Sequence, residues 1–328
     1  MSRRVVAWAQ RGGTGVEADR IAVIGAGMAG LAAAARLRQA GCSVTVLERA
    51  PSIGGRLASM TVDGGAIDHG APYITVQDPA FQEAMRAAVF GGHATGWAPR
   101  GRATDEPWII GLPDMPGLLR PLLDGLAIFL DLQVERIGHA TEGFALRTQS
   151  GSVGPFDGVV VAVPAPEALP LLQAHGKPFD MLESVQMQPT LVTLASFPGR
   201  LDIDDYLSGR GGILALAARN SSKAGRGTGE SWILHGSHDW SETKLDADPD
   251  AAAGDLIDAF RQAAGVALAA PVWHTLHAWR YSSVQTPLGT PYLLGANRRI
   301  AACGDWCLGA RAEAAFLSGR AAAEALIA

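Results

Sequence analysis

Across 328 residues the chain carries 48% hydrophobic and 18% charged side chains, enough to bury at least one sizeable core. A formal net charge of −5 leaves no basic footprint for nucleic acid or an anionic membrane surface, and no apolar run reaches the ~20 residues of a membrane span. Cys42, Cys303 and Cys307 suit neither a disulfide framework nor a C-x-x-C pair, so they are expected in the core of a cytoplasmic protein, and no metal site is predicted.

In chain order, residues 1–20 come first. Arg3 and Arg4 precede an apolar run, Val5–Trp8, too short for a secretory signal, and Arg11-Gly12-Gly13-Thr14-Gly15 follows. A disordered extension is expected there. Ile21–Ile24 is a β-branched run closed by Gly25, the pattern of a buried parallel strand. Gly25-Ala26-Gly27-Met28-Ala29-Gly30 is a G-x-G-x-x-G turn, Leu31–Ala40 reads as a helix stopped by Gly41, and Ser43–Glu48 is a second strand ending on an acid. Each part has a task in nucleotide binding. Gly25 permits the tight turn, Gly27 lets backbone approach a pyrophosphate, and Gly30 lets helix and strand pack closely. The helix amino terminus faces the phosphate charge. Glu48 is placed to accept hydrogen bonds from a ribose diol, which disfavours a 2′-phosphate.

Arg49 then leads into Ser52-Ile53-Gly54-Gly55-Arg56, and Gly64 to Tyr73 contains Gly70, Ala71 and Pro72, little bulk for a close approach. Asp78-Pro79 caps a helix through about Val89, and residues 116–126 read as another. Leu132–Ile137 reads as an edge strand containing Val134, and Val159–Pro164 as a buried one. Thr190–Phe197, Ser231–Gly236 and Val272–Tyr281 alternate as antiparallel strands do, with a helix from Ala251 to Ala264 before the last. Asn220–Gly229 reads as a mobile glycine-rich loop in which Lys223, like Arg219 just before it, is a solvated charge. Arg299–Cys303 is a short strand running into Gly304-Asp305-Trp306, and a helix begins near Arg311 with Ala312-Glu313-Ala314-Ala315.

These segments resemble the FAD-dependent amine oxidase and phytoene desaturase superfamily. The resemblance implies Arg56 over the pyrophosphate, the 64–73 segment beside the isoalloxazine ring, and Val134 backbone against adenine. It also implies Asp305 on the ribityl chain and the helix starting near Arg311 aimed at the flavin. The family's usual Glu-Gly-Ala is here Glu313-Ala314-Ala315. The implied fold is α/β, with a Rossmann-like FAD-binding domain of the two-dinucleotide-binding-domain type. That domain takes residues 21–77, 131–165 and 296–328. Residues 78–130 and 166–295 form an α+β substrate domain with an antiparallel sheet. FAD is expected to be held non-covalently.

Within that superfamily, four blocks resemble the bacterial renalase-like flavoproteins: Arg219–Lys223, Ser231–His235, His277–Tyr281 and Cys303–Leu308. That family implies oxidation of the 1,2- and 1,6-dihydro isomers of NAD(P)H, with electrons passed to O₂ to give hydrogen peroxide. Ala278 and Ser283-Val284 depart from the family pattern and put the substrate in question. Lys177, Lys223 and Lys244 are the only lysines, none on an expected strand, so the lysine of many amine oxidases is expected to be absent. Removing hydride from a dihydronicotinamide leaves an aromatic pyridinium and needs no general base. His235 and Asn220 would hold the carboxamide, and Trp279, Tyr281 or Tyr73 would stack on the ring. For His235, Trp232 and Trp279 a place in the core is the competing reading, and His69 is read as a packing or flavin-adjacent group. An amine oxidase, or a desaturase-like flavoprotein acting on an apolar substrate, remains open. Flavin motifs at both ends argue against a non-catalytic protein.

Overall fold

The computed structural model describes residues 18–62, 65–103, 105–209 and 211–328. Residues 1–17, which hold most of the expected extension, and Gly64 lie outside them. Two sheets organise the described chain. The first has six strands in the order Leu293–Leu294, Ile300–Ala302, Gly158–Val161, Arg20–Ile24, Ser43–Leu47, Ala127–Phe129. All its pairings are parallel except that of Leu293–Leu294 with Ile300–Ala302. Parallel strands with both faces covered need apolar side chains on both, and Ile21–Ile24 and Gly158–Val161 are buried throughout. Ala127–Phe129 falls in the 78–130 segment expected with the substrate domain, yet it extends this sheet beyond Ser43–Leu47.

The Met28–Gln39 helix starts three residues earlier than expected, directly out of the glycine turn. It packs against the Ala312–Ile327 helix from the other end of the chain. Small residues make the crossing close: a Cβ on Gly319 would stand 2.0 Å from the Ala29 carbonyl oxygen. Val134–His139 is an edge strand, but of a separate three-stranded sheet.

The second large sheet is antiparallel, ordered Tyr206–Ser208, Leu214–Arg219, Glu230–Gly236, Met187–Phe197, Trp273–Val284. Strand alternation sorts its side chains. One face presents Trp232, Leu234 and Leu191 to Leu256, Ile257 and Phe260 of the Pro249–Ala264 helix. The other face presents Val192, Leu194, Ile233 and Trp279 to Ile67 of the Gly65–Asp68 strand. Register puts His235 and His277 on either side of Val192, on this second face.

Two expected elements differ. Residues 116–126 do not make an α-helix. Met115–Leu122 winds as 3₁₀, with Pro116 at its start and Pro121 inside, which removes a donor and disfavours an α ladder. The 220–229 segment is packed: it opens with a 3₁₀ turn, Asn220–Ser222, and buries Asn220, Lys223 and Arg226. The helix expected after Asp78 is present as Pro79–Phe90, with the Asp78 carboxylate accepting from Ala80 N and Phe81 N. Cys42, Cys303 and Cys307 are free and buried, and no group of metal-binding residues occurs among the described residues. No described helix is long and apolar enough to cross a membrane.

Candidate functional site

A cleft of about 970 Å³ runs along the carboxyl ends of the parallel strands. At its floor Gly25 adopts a φ of +103°, and a Cβ there would meet the Ala162 carbonyl oxygen at 2.7 Å. A Cβ on Gly27 would find nothing nearer than 3.9 Å, so its bare face is open to a ligand. Gly30 does the packing expected of it: a Cβ would lie 1.9 Å from the Gly25 carbonyl oxygen. Gly54 N–H donates to the Ala26 carbonyl at 3.0 Å, which docks the second glycine turn on the first and brings Gly55 and Arg56 to the cleft.

Gly25, Gly27, Met28, Ala29, Glu48, Arg49, Gly55, Arg56, Ala71, Val134, Gly304, Asp305, Arg311 and Ala315 all line this cleft, as do Trp279 and Tyr281. Residues from positions 25 to 315 therefore share one wall. Arg56 joins the two halves. Its Nη1 and Nη2 donate to the two Asp305 carboxylate oxygens at 2.7 and 2.6 Å, and Nη1 also donates to the Ser282 carbonyl at 2.9 Å. Such a bidentate, charge-assisted pair is both strong and directional. It leaves Nε–H and one Nη2–H for a phosphate. Arg49 stands at the rim, paired with Glu167.

A second cavity of about 400 Å³ opens from the first and shares Arg56, Ala71, Trp279, Ser282 and Ala310 with it. Gly70, Pro72 and His235 line this one, together with Thr190 and His238, two residues the sequence did not single out. Trp279 is fixed by its Nε1–H, which donates to the His69 carbonyl at 2.6 Å, and by ring stacking with His69 at 5.4 Å. Burial drives His69 down to about 4, with the charge of nearby His277 adding to the effect. Burial likewise lowers His235 to about 4, helped by Lys223, so both imidazoles are neutral at pH 7. His235 Nε2 is enclosed without a hydrogen-bond partner.

Six expected site residues line neither cavity. Ala26 is wholly buried beneath the turn, and its N–H donates to Glu48. Gly30 packs as described. Glu313 turns away from the cleft, its carboxylate accepting from Gln77 N and Asp78 N at 2.6 and 2.8 Å, and Ala314 is buried beside it. Tyr73 stacks on Trp108 at 3.7 Å within an aromatic group that includes Trp97 and Tyr206, outside the lining of both cavities. Asn220 is spent on backbone: Oδ1 accepts from Asp68 N, and Nδ2 donates to the Ala66 carbonyl.

The two charges expected in solvent are also buried. Arg219 is fully enclosed, pairing with Asp205 and Glu230 and donating to the Leu201 and Ile203 carbonyls. Lys223 is bonded to Asp68. A sequence signal existed for the latter, since Asp68 follows the apolar pair Ala66-Ile67, where an acid needs a cationic partner.

Residues 23–88 match the model of the NAD(P)-binding Rossmann-like domain, and residues 101–327 match that of the flavin containing amine oxidoreductases. The chain belongs to the flavin containing amine oxidoreductase family. Its cofactor is FAD, and the residues of the large cleft fit it: open glycine backbone, an acid at the second strand end, and an Arg-Asp pair between. The curated relatives match over short stretches of sequence. The chain is 42% identical over 59 residues to hydroxyneurosporene desaturase of Cereibacter sphaeroides, covering 18% of this chain and 12% of that protein. It is 44% identical over 64 residues to protoporphyrinogen oxidase 2 of Arabidopsis thaliana, covering 20% and 13%. The matched stretch is thus a small part of these curated relatives. The fold is shared much more widely. Putrescine oxidase bound to putrescine aligns with a TM-score of 0.66 at 13% identity, covering 94% of this chain and 99% of the other. Cyclohexylamine oxidase from Brevibacterium oxydans aligns at 0.66 and 14% identity, covering 94% and 98%.

Proposed function

We propose that the protein is an FAD-dependent oxidase whose electron donor brings an uncharged dihydropyridine ring to the flavin, most specifically the 1,2- and 1,6-dihydro isomers of NAD(P)H. The products are NAD(P)⁺ and, with O₂ as electron acceptor and one proton taken up, hydrogen peroxide. One observation carries this reading. Among the described residues, the lining of the second cavity contains neither a carboxylate nor a lysine, and its buried histidine, His235, is neutral. The arginine of that lining, Arg56, is paired with Asp305.

A protonated amine would lose its hydration in this cavity and gain no countercharge. An uncharged dihydropyridine loses nothing of the kind and becomes cationic only as it reacts. FAD supplies the two-electron acceptor. The protein's task is then positioning, worth a large part of a barrier when reacting groups are held in register. Trp279 offers a flat, fixed wall at the junction of the two cavities, and Tyr281 flanks it on the cofactor side. His235 lines the second cavity and is assigned to the carboxamide. No base is required of either residue.

The test is anaerobic mixing of the flavoprotein with each candidate, following bleaching of the flavin absorbance. The 1,2- or 1,6-dihydro isomers are expected to reduce it quickly, and 1,4-NADH and primary or secondary amines much more slowly. Reduction by an amine faster than by every dihydronicotinamide isomer would sink the proposal and restore the amine oxidase reading.

A further inference from the structure

Behind the turn that separates the two cavities lies a group of three ions that neither cavity uses. Asp68 Oδ2 accepts from Lys223 Nζ at 2.8 Å and from Arg226 Nη2 at 3.0 Å. All three side chains are entirely shielded from solvent. Their remaining contacts are neutral. Ser59 Oγ donates to Asp68 Oδ1, Arg226 Nη1 donates to the Gly111 and Pro113 carbonyls, and Lys223 Nζ sits 5.2 Å from the Trp97 ring centre. One carboxylate thus faces two cations, a net charge of +1 in a low-dielectric interior.

A latch between two elements needs one cation for one carboxylate, and a second buried cation carries its own desolvation cost. The excess charge sits behind a turn that lines both cavities. Asp68 is followed by His69, Gly70 and Ala71, of which Gly70 and Ala71 line the second cavity and Ala71 the cofactor cleft. That turn has no slack: Ala71 N–H donates to the Arg56 carbonyl at 2.8 Å, and Trp279 holds the His69 carbonyl. The field also reaches a cavity wall, since Lys223 is, after burial, the next cause of the lowered His235.

We propose that Lys223 and Arg226, balanced by a single Asp68, form an electrostatic element that raises the reduction potential of bound FAD by favouring the negative charge that two-electron reduction places on the flavin. The inference rests on the FAD site alone and not on the identity of the substrate. Neither cation lines a cavity, so both act through the field.

The experiment is equilibration of the flavoprotein with a reference dye of known potential during slow enzymatic reduction. Lys223→Met leaves the group neutral and is expected to shift the oxidised-to-reduced ratio about tenfold, a fall of ~30 mV for a two-electron couple. Lys223→Arg keeps the charge and is expected to stay within a few millivolts of wild type. Arg226→Gln removes the other cation and is expected to lower the potential in the same direction. If Lys223→Met fails to retain FAD, Arg226→Gln carries the comparison. Wild-type potentials in the variants that retain FAD would overturn the idea. So would a Lys223→Arg potential as low as that of Lys223→Met, because packing and not charge would then be the cause. Dye equilibration uses no substrate, so it stands or falls separately from the dihydronicotinamide reading.

Discussion

Both carboxylate oxygens of Glu48 hold backbone: Oε2 accepts from Ala26 N at 2.7 Å, and Oε1 accepts from Ala50 N at 2.8 Å. The residue therefore braces the glycine turn as well as offering lone pairs to a ribose. Glu48→Ala removes both roles. Charged hydrogen bonds are worth ~1.5–3 kcal/mol each, so FAD affinity is expected to fall at least about tenfold in titrations of the apoprotein followed by flavin fluorescence. Unchanged affinity would place the nucleotide elsewhere. His235→Ala belongs to the other cavity. It is expected to slow flavin reduction by dihydronicotinamides while FAD content per polypeptide stays at the wild-type level. Loss of FAD in proportion to loss of rate would reassign His235 to the cofactor.

The crossing of the Met28–Gln39 and Ala312–Ile327 helices is a second contact between the two half-sites, beside the Arg56–Asp305 pair. Gly319→Ala forces a methyl against the Ala29 backbone, and overpacking of this kind costs ~1–3 kcal/mol. Met28 and Ala29 line the cofactor cleft, so the variant is expected to lose both urea stability and FAD affinity. A variant matching wild type in both would mean that the helices part freely. Legibility from sequence divides along similar lines. Gly25–Gly30 was readable because it acts through backbone geometry within its own turn, and Glu48 and Gly304-Asp305 because each follows a short buried strand. Tyr73, Asn220, Glu313, Arg219 and Lys223 were not, because their partners lie in other elements of the chain: Trp108, Asp68, Gln77, Asp205 and Asp68 again. Glycine-rich composition suggested a solvated 220–229 loop. Burial of that loop goes with Asp68, whose carboxylate pairs with the cations the loop carries. The two tryptophans, Trp232 and Trp279, needed only the sheet register, since strand alternation sends them to opposite faces.

At the scale of the whole molecule, buried neutral histidines make stability depend on pH. His69 and His235 titrate near 4 in the folded protein against an ordinary value of 6.5. Between these limits the unfolded chain binds protons that the native state refuses, so stability is full above about 6.5 and falls as pH drops toward 4. The urea midpoint is expected to be clearly lower at pH 5 than at pH 7, by up to ~2 kcal/mol per histidine in free energy. Substrate-driven flavin reduction is expected to stay flat from pH 6 to 8, since His235 does not change charge there. A midpoint that rises on acidification would contradict the burial of these rings.

The distribution of the cofactor site along the chain also orders its assembly in time. During synthesis the glycine turn, Glu48 and Arg56 leave the ribosome early, but Asp305 and the Ala312–Ile327 helix follow only after the rest of the described chain. The nascent protein must therefore keep the side of the Met28–Gln39 helix that carries Ala29 and Arg36 uncovered through most of its translation. FAD cannot act as an early folding template. It can only reward a chain that has been completed through the terminal helix, so truncated products would emerge colourless and exposed to proteolysis.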